Sequence, residues 1–137
     1  MKLILIISDD PTSESLRRAL DDGGFEVTLT NDANDGYGRI LGGRFDLVLV
    51  NLDQAVSGAD LIKRIRSNVT LNHLRIMTVA EWGTGQATMA MAQGVDAFEP
   101  KPVGAGRLVE AIERLLQPVA MRAWAGPSKR DLEDSKS

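Results

Sequence analysis

Phe45-Asp46-Leu47-Val48-Leu49-Val50-Asn51 is an unbroken apolar run that closes on a polar side chain. A strand buried on both faces reads this way, and when it carries a polar residue at its carboxyl end it delivers that residue to the rim of the sheet. Lys2-Leu3-Ile4-Leu5-Ile6-Ile7-Ser8 repeats the pattern and runs into Asp9-Asp10. A third such passage, Val95-Asp96-Ala97-Phe98-Glu99-Pro100, leads into Lys101-Pro102.

Helical patterns alternate with these strands. Pro11 stands where a first-turn proline is tolerated, with Asp10 or Thr12 as cap, and Leu16, Ala19 and Leu20 recur at helical spacing before Gly23-Gly24. Phe25 to Thr30 alternates as a half-buried strand, and Asn31-Asp32 offers caps to a second helix that Gly36 and Gly38 weaken. Leu61, Ile62 and Ile65 form the stripe of a third helix after Gly58, with Lys63, Arg64 and Arg66 as its solvated face. A fourth strand is expected from Leu74 to Val79, a short small-residue helix around Ala87 to Ala92, and a last helix on Leu108, Val109, Ile112, Leu115 and Leu116. Five strand-helix units with short, right-handed connections imply an α/β fold: a doubly wound five-stranded parallel sheet of (βα)5, flavodoxin-like type. Its working site belongs at the carboxyl ends of the strands, where Asp9, Asp10, Asn51, Val79 and Lys101 all fall.

An acidic pair after the first strand, a polar residue ending the third and a Lys-Pro after the fifth resemble the receiver domain of two-component response regulators. The resemblance covers residues 1 to 117. It implies that Asp9 and Asp10 hold a divalent cation, that position 51 is the phosphoacceptor and that Lys101 contacts the phosphate. It also makes a cis Lys101-Pro102 peptide plausible. This chain departs from the family at the central position, because Asn51 cannot form the acyl phosphate that an aspartate forms. The loop Leu52 to Gly58 lacks the family's proline and reads about one residue short. Family spacing back from Lys101 puts Val79 where a hydroxyl normally reads the phosphate. Thr78 beside it faces the other side of the sheet unless the register slips. Phe98 takes the position of the switch aromatic.

Three carboxylates within about 4 Å repel by roughly 4 kcal/mol per pair at an effective dielectric of about 20, so an amide at position 51 relieves the apo pocket. It also weakens the magnesium site, for which Asp9, Asp10, Asn51 and Asp53 are the candidate ligands. The main expectation is therefore an atypical receiver, a pseudo-receiver without phosphotransfer, acting as a protein-interaction module in bacterial signalling and not as an enzyme. Two alternatives stand beside it: an active phosphorelay receiver using Asp53, and a doubly wound domain whose pocket binds a small ligand. No glycine-rich phosphate loop or dinucleotide fingerprint is present.

Composition bounds the rest. The 137 residues carry a net charge of −3 and are 43% hydrophobic and 26% charged, ordinary values for one globular domain. An acidic chain does not suit a surface that binds by neutralising phosphates, so no nucleic-acid contact is expected. With no cysteine there is no disulfide, and no stretch reaches the roughly 20 apolar residues of a membrane span; a cytoplasmic location is expected. Residues 118 to 137 read as a partly disordered tail, with Trp124 as its one large apolar side chain. His73 reads as an exposed loop residue, and Met89 and Met91 as helix packing. The expected partners are a histidine kinase, an output protein or a second copy. They are expected on the face of the 87–92 helix, the last strand and the last helix, near Gln86, Gln93, Arg107 and Glu113.

Overall fold

A computed structural model of the chain describes residues 2–8, 10–52, 58–81, 85, 88 and 92–117. Five strands form one parallel sheet: β1 (Leu3–Ile7), β2 (Glu26–Thr30), β3 (Leu47–Asn51), β4 (Arg75–Glu81) and β5 (Ala97–Lys101), in the order β2-β1-β3-β4-β5. Among the described residues the helices are α1 (Thr12–Asp22), α2 (Ala33–Gly42), α3 (Gly58–Ser67) and α4 (Ala105–Leu116), with a 3-10 turn at Val69–Leu71. The doubly wound (βα)5 fold read from the sequence is the fold observed. The helix expected from Ala87 to Ala92 falls largely outside the described residues, as does everything beyond Gln117.

Burial explains the strand order. Every residue of β3 is buried, and the last four of β1 are too, which central positions require. β2 is half exposed along its length and takes an edge. Alternate side chains divide the core into two layers. Leu5, Ile7, Val48, Val50 and Ile76 pack with Leu61, Ile62 and Ile65 of α3 on one face. Ile4, Ile6, Leu47, Leu49 and Met77 pack with Leu16 and Leu20 of α1 and with Leu108 and Ile112 of α4 on the other.

Local chemistry sets the helix ends. The Asp32 side chain accepts from Asn34 N–H and caps α2. Gly36, which weakened that helix in the sequence, is there because a Cβ would lie 2.6 Å from Ile7 Cδ1. Close approach of helix to sheet outweighs helix propensity. β4 runs two residues past its expected end, because Ala80 and Glu81 pair with Pro100 and Lys101. β3 begins two residues later than Phe45, and Asp46 instead ties the chain to β1, its carboxylate accepting from Leu3 N–H at 2.8 Å.

At the opposite pole from the strands' carboxyl ends, Arg66 joins three segments. Its guanidinium donates to Gly94 O at 2.9 Å, to Leu74 O at 2.9 Å and to Asp96 Oδ2 at 2.8 Å. Asp96 Oδ2 also accepts from Ile76 N–H at 2.8 Å. The sequence placed Arg66 on a solvated face, whereas its side chain is only 22% exposed. A planar fork with five donors can satisfy backbone carbonyls and a carboxylate together. Arg66→Ala is expected to destabilise the domain by about 2–3 kcal/mol, since it strands those acceptors. Urea unfolding at neutral pH measures this, and a change under about 0.5 kcal/mol would contradict it.

Candidate functional site

The parallel register brings Asn51 opposite Val79, and Val79 opposite Glu99. Asn51, Val79 and Glu99 therefore share the face covered by α1 and α4, as the expected alignment of Val79 requires. Thr78 lies in the neighbouring row with Val50 and Phe98 and faces the other layer. The register has not slipped. Thr78 is fully buried, with its hydroxyl 3.5 Å from Ala97 O, at the limit of a hydrogen bond. Phe98 packs half-buried against the α2–α3 core layer.

Asn51 is 2% exposed and its amide is bonded at both ends. Lys101 Nζ donates to Asn51 Oδ1 at 2.9 Å, and Asn51 Nδ2 donates to Ser8 Oγ at 3.1 Å. An ammonium can only donate, which sets the amide orientation: oxygen toward Lys101, nitrogen toward Ser8. Asp10 N–H donates to the same Ser8 hydroxyl at 3.1 Å. The Asp10 carboxylate turns to the first turn of α1, where Oδ1 accepts from Thr12 N–H and Thr12 Oγ1, both at 2.9 Å. Its other oxygen lies 4.0 Å from Lys101 Nζ. The Lys101–Pro102 peptide is cis.

These groups rim a cleft of about 530 Å³ whose floor and walls are Leu49, Val79, Leu16 and Leu108, with Glu81 also lining it. Of the predicted site residues, Asn51, Lys101, Asp10 and Val79 come together here. Asp9 and Asp53 lie outside the described residues. Ser8 was missed, because a small polar residue at a strand end carries no signal of its own in a sequence.

Arg107 is exposed as expected, whereas Gln93 differs from its reading. Arg107 is 69% exposed, but its Nε donates at 2.9 Å to Oε1 of Glu99, whose side chain is only 12% exposed. Arg107 thus neutralises a buried carboxylate and is not simply a docking charge. Gln93 is half-buried, and its Oε1 has no partner among the described residues. Glu113 is exposed as expected, and Gln86 lies outside the described residues. His73 is also exposed as expected.

Residues 4–113 match the family model described as the response regulator receiver domain. The chain belongs to that family. It is 32% identical over 122 residues to the chemotaxis protein CheY of Pseudomonas aeruginosa, covering 85% of this chain and 97% of that protein. It is 26% identical over 119 residues to the transcriptional regulatory protein CusR of Escherichia coli, covering 85% of this chain and 52% of CusR. This receiver domain thus spans about half the length of that regulator. Among solved structures, CheY4 of Vibrio cholerae superposes with a TM-score of 0.76 at 20% identity, over 85% of this chain and 99% of that one. Among the described residues, no helix is long and apolar enough to cross a membrane.

The Asp10 carboxyl is held below its ordinary value, first by the Thr12 N–H, then by the Thr12 hydroxyl, with the Lys101 charge adding to them. A carboxylate with a depressed folded pKa adds stability that is present above its unfolded pKa and is lost as pH falls through the lower folded value. Asp10→Ala should therefore cost about 1 kcal/mol at neutral pH, the worth of an N-terminal cap. That difference should shrink as pH falls below the ordinary carboxylate range. Urea titrations of both proteins across that range test it, and a difference independent of pH would contradict the assignment.

Proposed function

We propose that this receiver domain works in signalling as a protein-interaction module, without phosphoryl transfer to residue 51. The observation that carries the reading is the chain of hydrogen bonds from Lys101 through Asn51 to Ser8. An amide bonded at both ends offers no carboxylate to become an acyl phosphate. Val79, opposite it in the sheet, offers no hydroxyl to a phosphoryl group. The ammonium at the end of β5 donates to Asn51, which donates to Ser8, and it also lies 4.0 Å from the Asp10 carboxylate. A ligand shifts a two-state equilibrium only through interactions that differ between the states.

The partners this reading implies are a histidine kinase, an output protein or a second copy of the chain, contacted through β5 and α4. Arg107 is a poor probe of that face, because reversing its charge would set a second carboxylate beside Glu99. Glu113→Lys is the cleaner test. It should weaken partner capture or self-association measured by sedimentation, and it should leave the unfolding midpoint within about 2 °C of wild type, as surface substitutions do. Unchanged binding would exclude this part of the face.

A second reading, a phosphorylated receiver with Asp53 as acceptor, has family membership itself in its favour. One experiment separates the two. Incubation with acetyl phosphate and magnesium, read by intact mass, should add no phosphoryl group. A gain of one phosphoryl that maps to Asp53 would establish the second reading.

A further inference from the structure

The family resemblance implies a divalent cation in this pocket, and the described donors do not fit one. Such a cation takes several oxygen ligands, with carboxylates foremost. The side chains that face each other across the ends of β1 and β3 are Ser8 and Asn51, both neutral. Asn51 turns an N–H toward Ser8, and an N–H has no lone pair for a metal. Of the Asp10 carboxylate, Oδ1 accepts from Thr12 in the first turn of α1 and Oδ2 lies 4.0 Å from Lys101 Nζ. Among the described residues, no group of three or more His, Cys, Asp or Glu could hold a metal ion.

We propose that Ser8 is the specificity-determining residue of this pocket, making it a fixed tie between strands in place of a cation site. Its position is set from several directions. Ser8 N–H donates to Thr30 O at 2.9 Å, which continues the β1–β2 pairing past Ile7. Its hydroxyl oxygen accepts from both Asp10 N–H and Asn51 Nδ2. The residue is 5% exposed. A hydroxyl oxygen has two lone pairs, and both face protein donors.

A carboxylate restored at position 51 alone would keep Lys101 as its counter-ion and could accept from the Ser8 hydroxyl. That pair satisfies the charge without a metal. A second carboxylate at position 8 changes the balance, because two such groups about 4 Å apart repel by roughly 4 kcal/mol at an effective dielectric of about 20. A divalent cation between them removes that repulsion. Position 8, more than position 51, then sets cation affinity. The inference rests on the reading that residue 51 is not a phosphoacceptor, and it is tested by cation binding, so the two can fail separately.

The experiment is calorimetric titration of the full chain with Mn²⁺ alone, for wild type, N51D and S8D/N51D. Asp9 is common to all three and cancels from the comparison. Asn51→Asp should raise affinity by about threefold or less, and the added Ser8→Asp should raise it at least about tenfold more. An Asn51→Asp step equal to or larger than the Ser8→Asp step overturns the proposal. If circular dichroism shows that S8D/N51D does not fold, S8E/N51D carries the same charge and is judged by the same criterion. In the native background, Ser8→Ala should lower the thermal midpoint by about 3–5 °C through loss of the tie. An unchanged midpoint also overturns it.

Discussion

The pairing of β3 with β4 and of β4 with β5 governs everything at the carboxyl end of this sheet. Side chains alternate along a strand, so the match of Asn51 to Val79 and of Val79 to Glu99 assigns each residue a face. A slip of one residue would replace Val79 by Thr78 beside Asn51 and present a hydroxyl to the pocket. The apolar layers oppose that slip. It would move Met77 into the α3 layer and Ile76 into the α1–α4 layer, each packed for a side chain of another shape. The chemistry of the pocket thus follows from the packing of the core beneath it.

The pocket and the opposite pole of the sheet use polar side chains in similar ways. Arg66 and Asp96 satisfy backbone groups where α3, β4 and the approach to β5 meet. Lys101, Asn51 and Ser8 satisfy one another where β5, β3 and β1 end. Buried polar groups stabilise a fold only when each has a partner, and both clusters meet that condition in the bonds described. Glu99 follows the same rule at the sheet edge, with Arg107 reaching it from α4. What differs at the pocket is charge. The Ser8–Asn51 contact is neutral, and Lys101 is balanced by Asp10 at a distance of 4.0 Å. Among the described residues, hydrogen bonds from Lys101 to Asn51 and from Asn51 to Ser8 link the three strand ends.

The fold was legible in the sequence, because long apolar runs punctuated by glycine, proline and capping residues leave few arrangements. The positions of Asn51, Lys101 and Asp10 at one end of the sheet were legible too, since strand ends in a parallel sheet all lie at the same pole. The amide at position 51 was read directly from the residue. Whether Asp10 faced a cation or the first turn of α1 was not readable, because adjacent polar residues at a strand-to-helix junction serve both purposes. In the structure the Ser8 side chain meets Asn51 and the Asp10 carboxylate meets Thr12. The sequence by itself determined which chemical groups were available and which end of the sheet they occupied. The tertiary structure decided which of them touch, because contacts such as Ser8 to Asn51, Arg66 to Asp96 and Glu99 to Arg107 depend on strand register and helix placement, and a local pattern of residues carries neither.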